Sequence, residues 1–436
     1  MDFQRSLQYL SQAEKYGIVP GLDSIKRLCG SLGDPQKELN IIHIAGTNGK
    51  GSVGCFIESV LCSCGYKTGR FVSPAVMDQC EIFRINGENI SEHDFAQIIT
   101  KVSYASDELE KQGYPHPTVF EMQTAAAFCF FAQQKCEIAL IEVGMGGKED
   151  STNVIDTSLL SIITPISLEH TKFLGPTIEQ IALHKGGIIK QGGCVLCAPQ
   201  EPQAMAVIED ICRRKNARLT VSQYESITDR RFSGTSQSFS YKGFENIKLS
   251  VMGTFQAENA ALAIDACLLL AEKGFRINKE HIIKGIGDAR WQGRFEILKA
   301  SSPTIIIDGA HNPSGASRLR ETLDAYYPAK RITFIIGTFK DKNFDEIARL
   351  TAPRAEKIYT VSTKGKRGLS ARALAEAVKK YNTNVIPMSS PAAALKRCLN
   401  ESCEMVVIFG SLSFLKEIKD TFNGEKDNGT KIPKDT

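Results

Sequence analysis

The chain has 436 residues, 42% of them hydrophobic and 23% charged, and a formal net charge of +4. At ~150 residues per domain this is a globular protein of two or three domains with room for sizeable cores. The 53 basic and 49 acidic residues balance too closely for nucleic acid to be the main partner, and no apolar run approaches the ~20 residues that cross a bilayer.

The first residues, MDFQRSLQYLSQAEKYG, lack the charged, apolar and small-residue order of a signal peptide, so a soluble cytoplasmic protein is expected. Residues 1–38 read as helical, broken at Pro20-Gly21. Apolar runs that look like buried strands follow: LNIIHIAG, EIALIEVG, LLSIITPIS and GCVLCAP. Helical patterns such as VGCFIESVLCSCG and MQTAAAFCFFAQQK lie between them. This alternation predicts a parallel sheet covered on both faces, with ligands at the Gly-rich strand ends. Around 222–250 the chain turns polar and β-like, predicting a small antiparallel excursion at the sheet edge. A second α/β series starts near 295 with TIIIDGA, RITFIIGT, EKIYTVST and EMVVIFGS. The boundary is placed in DARWQGRFEIL, giving domains 1–293 and 294–436, and the polar tail NGEKDNGTKIPKDT is expected to fray. The 13 cysteines are odd in number and irregularly spaced, many in apolar runs such as AAAFCFF. They read as reduced, buried thiols. Cys194 and Cys197 spell CxxC, but no second pair stands at zinc-site spacing.

The stretch AGTNGKGS, from Ala45 to Ser52, follows the first strand and opens a helix. It fails the strict Walker A pattern: Ile44 stands where the first Gly belongs, and Gly51 separates Lys50 from Ser52. The physical parts are nonetheless there. Gly46, Gly49 and Gly51 let backbone N–H groups turn toward phosphate, and the helix N-terminus adds partial positive charge. Lys50 can reach a terminal phosphate, and Ser52 offers a hydroxyl to Mg²⁺.

This variant spelling resembles the Mur ligase superfamily, and within it the folylpolyglutamate synthase and dihydrofolate synthase signature. FVSPAV with EIFRINGENIS, FEMQTAAAF, IEVGMGGKEDSTNVI, ISLEHTKFLGPTIEQIALHKGGIIK, AENAALA, WQGRFEIL and IDGAHNPSGA follow in the family's order, with a weaker echo at GSLSF. The resemblance implies a P-loop ATP-binding domain with a parallel sheet and a smaller C-terminal Rossmann-like α/β domain. The implied enzyme is an ATP-dependent, ADP-forming amide ligase. It phosphorylates a pteroate or folate carboxylate and lets the amine of L-glutamate displace the phosphate, so ATP, Mg²⁺ and small-molecule substrates are its partners.

Roles follow the matched positions. Gly46, Thr47, Asn48, Gly49, Lys50, Gly51 and Ser52 hold phosphates, and Asn259, Arg294 and Asp308 complete the ATP site. Ser52, Ser73 and Glu142 share one Mg²⁺; His170 and Lys185 serve a second, Lys185 as a carbamate in many members of the superfamily. Lys50, His170, Lys185 and His311 are the implied catalytic set. The substrate contacts map to Ile18, Val19, Pro20 and Gly21; to Thr118, Val119, Phe120 and Glu121; and to Glu149, Asp150 and Ser151. The chain departs from the family at Glu169, where Asp is usual. It departs again at Ala75, where His is usual, with Val76, Met77, Asp78 and Gln79 replacing the basic residues expected next. In the second domain, Lys364, Lys366 and Arg367 either attract the glutamates of a growing chain or form a solvated loop. A monomer is expected. The alternatives are a UDP-muramyl amino-acid ligase, disfavoured by the ~40 residues before the loop, a nucleotide-switched P-loop binding protein, and an inactive scaffold.

Overall fold

The structure, a computed structural model, describes residues 1–365 and 367–427. The first domain is built on β1 (Ile41–Ala45), β2 (Thr68–Phe71), β3 (Phe83–Ile85), β4 (Glu88–Asn89), β5 (Ile138–Glu142), β6 (Leu160–Ile163), β7 (Cys194–Cys197) and β8 (Arg218–Val221). They form one sheet in the order β4-β3-β2-β5-β1-β6-β7-β8. β1 lies at its centre, parallel to β5 and β6, and only the β2–β3–β4 edge is antiparallel. All five residues of IIHIA are buried, as a strand covered on both faces requires. Ile42 and Ile44 pack into a core with Val53, Phe56 and the helix Gln256–Glu272. Ile41 points the other way, toward the helices Glu92–Lys111 and Val119–Gln133.

The 222–250 region is not an edge extension of this sheet. It contains β9 (Ile227–Ser233), β10 (Ser236–Tyr241) and β11 (Phe244–Leu249), which form a separate antiparallel sheet in the order β11-β10-β9. The cause is its alternation. Phe239, Tyr241, Ile247 and Leu249 share one apolar side, and that side packs into the core around helix Gln256–Glu272.

The second domain contains β12 (Glu296–Lys299), β13 (Thr304–Ile307), β14 (Ile332–Ile336), β15 (Lys357–Thr360), β16 (Val385–Pro387) and β17 (Met405–Phe409). Their order is β12-β13-β17-β14-β15-β16. The four strands legible in the sequence are the central, buried ones. The two edge strands are short and partly exposed, which is why hydrophobic pattern did not announce them. The last helix, Leu415–Asp427, runs into the tail that was expected to fray. All 13 cysteines are free thiols, most of them buried. Among the described residues no helix is long and apolar enough to cross a membrane.

Candidate active site

The C-terminal ends of β1 and β5 lie side by side, with Ile44 opposite Glu142. The chain leaves β1 through Gly46, whose φ of +149° and contact with Thr164 exclude a side chain: a Cβ there would stand 1.8 Å from Thr164 Oγ1. Thr47 then ties the loop to the end of β6, its N–H donating to Pro165 O at 2.9 Å and its hydroxyl to Ser167 O at 3.0 Å. Helix Lys50–Ser63 starts at once, and its first turn lines the cleft, so the partial positive charge of the helix N-terminus lies there. Lys50 Nζ lies 3.9 Å from Glu142 Oε1 and donates to the carbonyls of Gly46 and Thr47 at 3.2 and 3.3 Å. Burial pushes the Glu142 carboxyl up, and Lys50 and Arg294 oppose that shift.

The cleft is lined from both domains. The first contributes residues 47–52, Ser73, Glu142, Glu169, His170 and Asn259; the second contributes Asp308, His311, Asn312 and Arg318, with Arg294 from the linker, the stretch 289–295 between helix Lys279–Asp288 and β12. Gln256 Nε2 donates to Ser52 Oγ at 3.4 Å, and Asn259 Nδ2 to Gln256 Oε1 at 2.9 Å. Asp308 is fully engaged with backbone: Phe295 N–H and Ala310 N–H both donate to it at 2.8 Å. His311 Nδ1 faces Gly309 O at 2.7 Å, leaving Nε2 turned toward Glu169, 3.5 Å away.

Glu169 is the hub the sequence did not reveal. From the first domain it meets His311, Lys342 at 3.3 Å and Asn312 at 3.3 Å from the second, and His170 at 3.9 Å. Burial alone would push its carboxyl up, but His311, Lys342 and His170 together hold it well below the usual carboxylate range. Asn312 also donates to Asn48 Oδ1 at 3.3 Å and caps the helix Pro313–Tyr326 through Gly315 N–H. At the other side of the cleft Glu258 pairs with Arg318 at 3.2 Å. Lys342 and Arg318 carried no legible signal, and Asn312 stood within the IDGAHNPSGA match without a role assigned to it. Gln256 did carry one: three residues before Asn259, it shares that residue's helix face.

Lys185 does not line the cleft. It lies beneath the loop, 4% exposed, with Nζ donating to Gly46 O at 2.6 Å. Burial, then the neighbouring charge of Lys50, pulls its pKa down to about 7. His170 starts the short helix Thr171–Leu174 in a left-handed conformation (φ 52°), and burial lowers its pKa.

The residues suggested for pterin contact stand outside this cleft. Ile18 and Val19 are exposed at 64% and 58% on the loop before helix Asp23–Ser31, with Pro20 and Gly21 beside them. Thr118 and Glu121 close a capping box on helix Val119–Gln133. Val119 and Phe120 open that helix, with Phe120 against Gly144. Asp150 accepts from Met145 N–H at 2.8 Å, Thr152 N–H at 3.0 Å and Thr152 Oγ1 at 2.5 Å. Asp150 and the Oε2 of Glu121 are thus engaged in local structure, while Glu121 Oε1 is buried without a donor among the described residues. Glu149 is exposed and Ser151 buried. The departing residues Val76 and Met77 pack against the second domain's core, and Ala75 against the first domain's. Lys364 pairs with Glu417 and Arg367 with Asp341, so neither is a free cation; Lys366 lies outside the described residues.

Two family descriptions match the chain: "Mur ligase middle domain" over residues 44–267 and "Mur ligase, glutamate ligase domain" over residues 293–412. A Bacillus subtilis dihydrofolate synthase/folylpolyglutamate synthase is 33% identical over 96% of this chain and 98% of its own length. A Lacticaseibacillus casei folylpolyglutamate synthase is 32% identical over 98% and 100%. Among solved structures, Mycobacterium tuberculosis folylpolyglutamate synthase complexed with ADP superposes with a TM-score of 0.88 at 28% identity, covering 97% of this chain and 99% of that one. Escherichia coli FolC in complex with DHPP and ADP gives 0.84 at 27%, covering 97% and 98%.

Proposed function

The chain belongs to the folylpolyglutamate synthase/dihydrofolate synthase family of the Mur ligase superfamily, and on that premise we propose that it uses ATP to join L-glutamate to folate-type carboxylates, releasing ADP. The acceptors are dihydropteroate, the γ-carboxyl of tetrahydrofolyl-polyglutamate, or both, since the relatives carry both names. The observation that carries this reading is the two-sided cleft: a phosphate loop with Lys50 and Glu142 on one wall, and Asp308, His311 and Arg294 on the other.

A carboxylate does not accept an amine at neutral pH. Transfer of the γ-phosphoryl group makes it an acyl phosphate, which the glutamate amine attacks, forming the amide and releasing phosphate. The loop N–H groups and Lys50 would neutralise charge on the transferring group. The oxygen donors Ser52, Ser73 and Glu142 suit Mg²⁺, which uses one or two carboxylates and completes its shell with phosphate and water. When bound, the ion supplies charge stabilisation at the β- and γ-phosphates. His170 and Lys185 are the proposed donors for a second Mg²⁺. Burial and the charge of Lys50 lower the Lys185 pKa to about 7, which favours the neutral amine that carbamylation requires, and the carbamate would turn a cation into an anionic oxygen donor.

Asn259, Arg294 and Asp308 are the proposed contacts to the base, the phosphates and the ribose of the nucleotide respectively. The pterin end would lie along Ile18, Val19, Pro20 and Gly21, the helix opening at Thr118–Glu121, and the turn at Glu149–Ser151, with Phe120 as an apolar wall. The protein is proposed to work as a cytoplasmic monomer, with the 293/294 boundary as the hinge on which the second domain closes and shields the acyl phosphate from water. The test is phosphate release by purified protein given ATP, Mg²⁺ and L-glutamate with dihydropteroate, tetrahydrofolate or a UDP-muramyl acceptor in separate reactions. Turnover with a pteroate or folate acceptor supports the reading; turnover with the sugar nucleotide alone rejects it.

A further inference from the structure

We propose that Trp291 is a positioning residue that couples the phosphate loop to closure of the second domain; the proposal rests on the ligase reading only in requiring nucleotide on that loop. The indole sits so close to Gly51 that a Cβ there would stand 2.8 Å from Trp291 Cζ2. The guanidinium of Arg70 lies over the ring, 4.3 Å from its centroid, and Arg70 Nη1 donates to Gly51 O at 3.3 Å. Ring, guanidinium and loop glycine thus form one three-way contact.

Arg70 is itself fixed. Its Nε lies 2.7 Å from Glu58 Oε2, with the two side chains 1% and 4% exposed, and a buried pair of this kind resists separation. The indole N–H is buried without an acceptor among the described residues, and the Arg70 guanidinium stacked on the ring is a contact that holds it in place. The linker carries this position onward. Three residues later Arg294 presses on Gly309, where the second domain opens: a Cβ at Gly309 would be 2.4 Å from Arg294 Nη1. Phosphates settling on the loop shift Gly51, and Trp291 is the linker side chain in contact with it. The phosphate-loop pattern and the metal donors give this ring no task, yet it packs directly on the loop at Gly51.

Trp291 is the only tryptophan of the chain, so its fluorescence reads the contact directly. The full-length protein is titrated with ATP and Mg²⁺, and separately with ADP, while emission is followed and binding is measured by calorimetry. The expected result is a saturable emission change with the calorimetric midpoint. In the double variant Glu58→Gln/Arg70→Met, which removes both buried charges together, nucleotide binds within about threefold of normal, but the emission change is lost and kcat falls about tenfold. Trp291→Phe keeps a flat ring against Arg70 and retains most of kcat. Trp291→Leu loses about tenfold in kcat with KM for ATP within about threefold. Emission unmoved by saturating nucleotide while calorimetry records binding would overturn the proposal, as would Trp291→Leu turning over like the unaltered protein. The tryptophan variants carry the test if the double variant does not fold. If emission responds but no acceptor yields amide, the ligase reading fails and the coupling stands.

Discussion

Lys185 Nζ donates to the carbonyl of Gly46 at 2.6 Å, so the amine proposed for carbamylation hangs from the first glycine of the phosphate loop. Its burial and lowered pKa prepare a neutral amine there. Lys185→Ala is expected to lose activity by about a hundredfold or more, and short-chain carboxylic acids to restore part of it by supplying the missing oxygen donor. Lys185→Arg remains cationic at every accessible pH and should be as inactive as the alanine variant. Steady-state rates with and without added acid check this; normal activity in Lys185→Arg would remove the carbamate from the account.

Gly46 has no room for a methyl group, with Thr164 Oγ1 at 1.8 Å from the position of its Cβ and a φ of +149°. Gly46→Ala must move either the loop or β6. Nucleotide affinity is expected to fall by about a hundredfold, or ~2.7 kcal/mol, with the far-ultraviolet circular dichroism unchanged. Calorimetric titration with ADP measures it, and near-normal affinity would mean that the loop's path is not what holds phosphate.

Much of this site was legible because the sequence concentrates it in short motifs at strand ends, where backbone and side chains act locally. The strand before Gly46, the helix at Lys50 and the placing of Glu142 at the end of β5 follow from hydrophobic runs broken by glycine. Glu169 was legible only as a departure from the family. Its partners Asn312 and Lys342 lie far along the chain, and pairing across a cleft leaves no periodicity. The same holds for Arg70 and Glu58, whose burial as a pair cannot be read from two isolated charges. Asp150 and Glu121 were assigned to substrate by the resemblance alone; packing gives Asp150 backbone and hydroxyl donors and Glu121 Oε2 those of Thr118, local contacts that a motif match does not show.

The Glu169 contacts predict how closure responds to charge. Glu169→Gln keeps an acceptor for Asn312 but cancels the attraction to Lys342 and His311. A drop of about tenfold in kcat/KM is expected, with a flatter dependence on salt than the unaltered protein, because a cross-domain charge pair that salt screens has been removed. Rates between low and high ionic strength test it; an unchanged salt slope would show that this carboxylate does not help bring the domains together.

His43 is fully buried in β1, with Nε2 2.8 Å from Thr152 Oγ1, and burial pulls its pKa down to about 3. Its folded pKa lies below the unfolded value near 6.5, so between those values the unfolded chain binds the extra proton. Stability contributed by keeping it neutral is therefore present above about pH 6.5 and lost as pH falls toward 3, by up to about 1.4 kcal/mol per pH unit. Urea midpoints measured at about pH 7, 6 and 5 should fall more steeply for the unaltered protein than for His43→Gln. Parallel curves would locate the acid sensitivity elsewhere.

The central claim is that an acid is energised by phosphoryl transfer in the cleft between the two domains and then captured by glutamate. Its most direct test uses dihydropteroate or a tetrahydrofolyl-glutamate labelled with oxygen-18 in the reacting carboxylate, turned over with ATP, Mg²⁺ and L-glutamate. An acyl phosphate leaves one carboxylate oxygen on the departing phosphate, so the released inorganic phosphate should carry label in step with amide formed. Amide product accompanied by unlabelled phosphate would contradict the account.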